Sequence, residues 1–279
     1  MLNMPADSLS QPMPPDDGAN ESKRQRRIQS IEVGMRVLDA LTVAAQPLPL
    51  KEIARAADMP PGKAHPYLVS FMNVGLVKQH PLTGLYELGP GALRLGLAAL
   101  QQLDPVTEAS QEAALLATSS DLSIALAVWG QLGPTVVRLD EPRYPLHVNL
   151  RVGTVMSLFN TITGRVFATY LPEKMVRTML EDEHRRVVGG PSTDFDSPEV
   201  QQLLAEIRAV GMGRGISMPQ PGVNTLCAPV FGADGKIALV MTMIGPQGVF
   251  DASIDSVAGH QLREHARRAS QRLGHTPKN

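Results

Sequence analysis

A single cysteine, Cys227, stands among 279 residues. An intrachain disulfide framework is excluded, and a reducing cytoplasm is the default setting. There is no apolar run of about 18 residues, which excludes an ordinary helical membrane span. The start lacks a basic region followed by an apolar core, so no signal peptide is expected. No phosphate-binding glycine loop and no nucleophile elbow occurs. The seven histidines are scattered. His260 and His265 are five apart, not the three or four that set two ligands on one helix face, so no metal site is expected. Cys227 is the obvious nucleophile, but a reactive thiol needs an adjacent base or a depressed pKa. Catalytic residues, metals and cofactors are all expected to be absent.

Strong charge of either sign is lacking too: the net charge is −1, with a hydrophobic fraction of 43% that suits ordinary cores. The length suggests roughly two domains. The small net charge conceals an asymmetry. Residues 1–20 carry Asp7, Asp16 and Asp17 and no base, whereas residues 21–95 carry ten Lys/Arg against six Asp/Glu. A modestly basic amino-terminal third on a near-neutral body suits a DNA-binding module joined to something else. Residues 1–22, rich in Pro, Asp, Ser and Asn, are expected to be disordered. The basic arm that follows, with Arg24, Arg26 and Arg27, is placed to lie along phosphates or reach a minor groove, or else to remain a solvated tail.

Ser30 reads as the N-cap of a first helix running to about Ala45, with Glu32 in its first turn and Ile31, Met35, Leu38, Thr42 and Ala45 on one face. Residues 50–58 form a short second helix with Ile53, Ala54 and Ala57 inward. Asp58, Met59 and Pro60 make a tight turn, and Pro61 suits the first residue of a new helix. Along residues 59–75, Ala64, Leu68, Phe71, Met72 and Gly75 recur at helical spacing and face a core. Lys63, Tyr67 and Ser70 are assigned to the opposite side, where phosphate and base-edge contacts would use them, and His65 joins them. The same pattern fits an amphipathic helix with a solvated face. Pro66 implies that this helix starts late, with Gly62 as N-cap, or is kinked in its first turn. Two short strands around Pro81, Leu82, Thr83 and Gly84 complete a winged helix-turn-helix.

Several motifs in register resemble the IclR-type bacterial transcriptional regulators. They are SIEVGMRVLDAL at 30–41, LKEIARAADMP at 50–60, KAHPYL at 63–68 and GLYELGPGALRLG at 84–96. In the second half they are SLFNTITGRVFATYLP at 157–172, PGVNTLCAPVFGADGK at 221–236 and MTMIGP at 241–246. The resemblance spans roughly residues 28–274 and implies an α+β architecture. Its parts would be a winged helix-turn-helix at 28–89, a linker helix at 90–104 and a GAF-like effector-binding domain with an antiparallel sheet at 105–274. A partly basic arm at 1–27 and a loose tail at 275–279 flank them. The resemblance further implies a homodimer or tetramer that binds double-stranded operator DNA and responds to a small organic acid. The family often has Ser-Thr where this chain has Gly62 and Lys63, and commonly Arg where it has Pro66, so operator preference does not carry over.

Strands are expected at 122–129, 134–139, 146–152, 215–218, 224–231 and 236–244, and helices at 105–118, 165–170, 172–180, 198–210 and 251–273. Asn160, Thr161 and Thr163 gather before Gly164 at a helix start. Such a turn either holds a carboxylate through free amides or simply caps the helix. The family lines its pocket with this turn. It places a pocket cysteine at the position of Thr225 and pocket serines at those of Thr242 and Ile244. Thr225 and Cys227, two residues apart, share one sheet face, as do Thr242 and Ile244. Ile244 in place of a hydroxyl suggests a more apolar ligand, with an aromatic ring, and Met241 or Met243 and Trp129 are candidates to cover it. Two other readings are a winged helix used only for protein contacts, its DNA binding spoiled by Pro66, and an enzyme dependent on Cys227.

Overall fold

The computed structural model describes residues 28–142, 150–186 and 193–276. Arg24, Arg26 and Arg27 and the proposed disordered arm lie outside them. The chain divides into two compact units, with the break between Gln101 and Gln102.

The first unit opens with α1 (Gln29–Ala44), α2 (Leu50–Ala56) and α3 (Pro61–Asn73). Val37, Leu41, Ile53, Ala57 and Leu68 meet in its core. The buried stripe of α1 is Gly34, Val37, Ala40 and Leu41. The stripe through Ile31 and Met35 is instead exposed, at 61% and 47%. Ser30 is not the N-cap. Ile28 holds that position without a side-chain bond, and Ser30 lies inside the first turn.

α3 does not start late. Pro60 is its N-cap, and the Pro60 carbonyl accepts from the amides of Lys63 and Ala64 at 2.9 and 3.1 Å. Pro61, whose fixed φ suits a first turn, is the first helical residue. Helical structure runs unbroken through Pro66. The strands β1 (Val77–Gln79) and β2 (Tyr86–Leu88) pair antiparallel, and Lys78 and Glu87 face each other across them at 3.2 Å. At the wing tip, His80 Nδ1 accepts from the amides of Leu82 and Thr83. α4 (Pro90–Gln102) follows, with Leu93 and Leu97 exposed.

The second unit begins with α5 (Pro105–Ser120), capped by Asp104, whose carboxylate accepts from the Val106 amide at 3.1 Å. Five antiparallel strands form its sheet: β3 (Ser123–Gly130), β4 (Gly133–Asp140), β5 (Gly213–Gly215), β6 (Val223–Phe231) and β7 (Ile237–Pro246), in the order β4-β3-β7-β6-β5. Alternation along the strands gives the sheet two apolar faces. Ile124, Leu126, Leu226, Met241 and Met243 pack toward α5 and the terminal helix α9 (Val257–Arg272). Between these two helices the buried Glu112 lies 2.8 Å from His265 Nδ1 and 3.3 Å from Arg272. Ala127, Cys227 and Val240 pack toward α6 (Ile162–Tyr170) and α8 (Pro198–Val210). α7 (Glu173–Arg186) supplies Val176 and Leu180 to a further cluster.

The strand expected at 146–152 falls partly on residues 143–149, outside those described, and residues 150–152 are not strand. The segment that follows β4 pairs later: Val136 exchanges bonds with Thr154 and Gly153, and Met156 donates to Pro134. α6 starts at Ile162, three residues before the expected 165. β5 lies at 213–215 rather than 215–218, because Gly211 in a left-handed conformation ends α8 and turns the chain directly onto β6.

Gly164 sits where the start of α6 crosses the preceding segment. A Cβ there would lie 2.4 Å from both the Ser157 and Leu158 carbonyl oxygens. Gly164→Ala is therefore expected to destabilise the second unit by about 1–3 kcal/mol through forced displacement. Urea unfolding followed by the fluorescence of Trp129, which lies in that unit, measures this. An unchanged midpoint would contradict the close crossing.

Candidate functional site

A cavity of about 170 Å3 opens on the α6 side of the sheet. Its floor is Thr225 and Cys227 from β6 and Thr242 and Ile244 from β7. The register explains this grouping: Thr225 pairs with Ile244 and Cys227 with Thr242. The four sequence-predicted strand residues thus share one wall. Met241 and Met243, which alternate with them, point into the opposite core and do not touch the cavity.

The start of α6 forms the second wall, through Thr161, Ile162 and Thr163. Thr163 Oγ1 lies 2.9 Å from Thr242 Oγ1 and 3.6 Å from Cys227 Sγ, and Cys227 Sγ lies 3.3 Å from Thr242 Oγ1. This closed trio satisfies three buried polar groups among apolar neighbours. Thr161 is the N-cap of α6. Its hydroxyl accepts from the Gly164 amide at 3.0 Å and donates to the Ser157 carbonyl at 2.7 Å. Its proton is committed to the backbone, so the capping role is the one its geometry serves. The amides of Ile162 and Thr163 precede the first intrahelical bond of α6, at the positive end of the helix dipole.

Three predicted site residues stand apart from the cavity wall. Asn160 is exposed. Gly164 serves the close crossing described above. Trp129 packs against Phe167 with ring centroids 5.7 Å apart, and joins the cluster around Phe159 and Phe195. A large aromatic gains more from that packing than the small cavity offers. The remaining wall comes from loops: Leu150, Val155 and Met156 after β4, and Pro219 and Gln220 before β6. Loops carry no periodicity, so no sequence pattern marks these residues. Among the described residues, no charged side chain lines the cavity.

Cys227 is fully buried, and burial pushes its thiol up to about 11, a rise that the hydrogen bonds from Thr242 and Thr163 only partly offset. A thiol held neutral in this way is a packing and hydrogen-bonding group, not a nucleophile.

In the first unit, Lys63, His65 and Ser70 on α3 are exposed. Tyr67 is not on the outward side. It is half-buried, and its Cδ1 lies 3.2 Å from where a Cβ on Gly34 of α1 would sit. The stripe of Lys63, Tyr67 and Ser70 is only about 100° around the helix from that of Ala64, Leu68 and Phe71, not opposite to it. Ser70 Oγ donates to the Pro66 carbonyl at 2.9 Å.

Residues 30–81 match the model of the IclR helix-turn-helix domain, and residues 97–271 match that of the bacterial transcriptional regulator IclR C-terminal domain. The chain belongs to the IclR family. It is a DNA-binding transcriptional regulator rather than an enzyme. The crystal structure of Pseudomonas aeruginosa HmgR is similar over 90% of this chain and 100% of that one, with a TM-score of 0.81 and 35% identity. The glycerol operon regulatory protein of Streptomyces griseus is 30% identical over 209 residues, 74% of this chain and 80% of that protein. The HTH-type transcriptional repressor AllR of Klebsiella pneumoniae is 22% identical over 261 residues, 93% of this chain and 95% of that protein. Among the described residues, no helix of this IclR regulator is long and apolar enough to cross a membrane.

The raised Cys227 pKa sets a pH window. Below the ordinary thiol value of 9.0 both folded and unfolded states hold the proton, and the unfolded state loses it first as pH rises toward about 11. The stability of the second unit is therefore expected to fall across that window by something on the order of 2–3 kcal/mol. The difference between wild type and Cys227→Ala in urea unfolding at pH 8 and pH 10.5 isolates this contribution. An identical pH dependence in the two proteins would contradict the burial of a neutral thiol.

Proposed function

We propose that this regulator binds a small organic acid in the cavity at the start of α6, and that binding changes its affinity for an operator. The cavity carries the reading. It is mostly apolar, with a few hydroxyls and a helix start converging on it, which is the usual composition of a small-molecule site. Without a lysine or arginine among the described residues of its wall, a carboxylate would be held by the first-turn amides of α6 and by the hydroxyls of Ser157 and Thr225, whose protons are not committed to the trio. An engineered apolar cavity of about 150 Å3 takes a benzene ring. The volume here thus favours a single ring or branched chain bearing one acid group, seated against Ile244.

The reading places the regulator in the cytoplasm as a homodimer or tetramer. The exposed Leu93 and Leu97 of α4 and Ile31 and Met35 of α1 are suitable pairing surface. DNA would be held by Lys63, His65 and Ser70 and by the arm of Arg24, Arg26 and Arg27, with Ser30 near the phosphates at the start of α1. The acid would shift the population between DNA-competent and incompetent arrangements of paired winged helices, through α4. It must prefer one state by its own differential affinity, and typical couplings are about 1–3 kcal/mol.

Two outcomes follow. Titration of the full-length protein with aliphatic and aromatic monocarboxylates, alongside their neutral amides, should give saturable heats for an acid and not for its amide. Thr225 makes only a long 3.4 Å bond to the Met218 carbonyl, so Thr225→Val should keep the fold and weaken acid binding by roughly tenfold. Equal binding by this variant would place the polar contact elsewhere. On the DNA side, Lys63→Ala should weaken operator binding by roughly 1–3 kcal/mol if the amine reaches a base edge. If it touches phosphate only, binding should fall equally on all sequences and the salt slope should shrink. Unchanged affinity and slope would remove Lys63 from the interface.

A further inference from the structure

The outward face of α3 is unlike a charged recognition surface at its centre. Ala64 and Leu68 are buried, and Tyr67, Phe71 and Met72 are half-buried. At about 100° per residue, the line directly opposite this core side runs through Gly62, Pro66, Val69 and Asn73. Gly62, Pro66 and Asn73 are exposed and Val69 is partly so. Lys63 lies on one flank of that line and His65 on the other. The cations therefore stand at the rims and an uncharged strip stands between them. Ser70, on the Lys63 flank, has already given its proton to the Pro66 carbonyl. Nothing lies within 4 Å of a Cβ position on Gly62, so the backbone is open to close approach there.

Each base edge in a major groove asks for a particular partner. Guanine presents two acceptors suited to arginine or lysine, adenine an acceptor and a donor suited to asparagine, and thymine a methyl group suited to an apolar contact. A strip of Pro66 and Val69 offers nothing to guanine and fits thymine methyls, while Asn73 fits adenine. We propose that α3 selects its operator through thymine methyl groups, with Pro66 and Val69 as the apolar contacts and Asn73 paired with adenine. Lys63 and His65 hold the phosphates on either side. Pro66 thus does not spoil DNA binding; it moves base preference from G·C to A·T. This inference rests on the reading that α3 lies in the major groove.

The test begins with selection of random duplexes by the full-length protein. The recovered half-site should centre on A·T pairs. Each thymine in it is then replaced by deoxyuridine, which deletes the methyl and leaves every hydrogen-bonding edge unchanged. Affinity should fall about fourfold for each contacted methyl, the factor expected for one buried methyl-sized group. Val69→Ala should lose the thymine-over-deoxyuridine preference at one position and keep it at the others. Pro66→Arg should move the preference at its position toward guanine. A G·C-centred site, or deoxyuridine replacement without effect at every position, overturns the inference and leaves operator binding intact. A selection that enriches no sequence contradicts the operator reading itself, and this inference with it.

Discussion

Thr163, Thr242 and Cys227 hydrogen-bond to one another inside an otherwise apolar layer, and the position of α6 on the sheet depends on them. A hydroxyl buried without a partner costs about 1–3 kcal/mol. The trio is satisfied only when the first turn of α6 sits over the middle of β6 and β7. The crossing at Gly164 fixes the same turn from behind, since any side chain there would strike the Ser157 and Leu158 carbonyls. Between these constraints the helix start has one place to lie. The cavity is the space left beside it, floored by the strand residues that flank the trio.

How much of this was legible in the sequence depended on periodicity. Two-residue alternation put Thr225 with Cys227 and Thr242 with Ile244 on common faces, and the pairing register then merged the two faces into one wall. Helical spacing found the inner faces of α2 and α3. It failed for Tyr67, because neighbouring stripes on a helix are not opposite ones and Gly34 leaves room on α1 for the phenol ring. It failed for α1 as well, where two stripes are apolar and only the one with the smaller residues, Gly34 and Ala40, is buried. Trp129 was misplaced because an aromatic at a strand end fits pocket and core equally well until its neighbours are known. The loop residues of the cavity were missed because nothing periodic marks them. Residue type alone favours Ser30 as the cap, two residues later than Ile28, which holds that position.

The two units divide the physical work. In the first, charge stands at the edges of the outward face of α3 and the centre of that face is neutral. Affinity would then come largely from phosphate contacts and fall with salt, while selectivity would come from shape and apolar contact. In the second, the described residues of the cavity wall carry no charge. An acid would be bound by dipoles and hydroxyls that need no counter-charge, so modest affinity and sensitivity to the ligand's apolar part are to be expected. Linking the two units requires that the acid distinguish between two states of the regulator, since a ligand bound equally well by both shifts nothing.

That requirement gives the most direct measurement. The dissociation constant of the recognised acid is determined on the free regulator and on the regulator saturated with operator duplex, under identical salt. By linkage, the ratio of these two constants must equal the ratio of operator affinities without and with the acid, a factor on the order of 5–150 for a typical coupling. The account predicts two unequal constants whose ratio closes that cycle. Equal acid affinity in the free and the operator-bound regulator would contradict it.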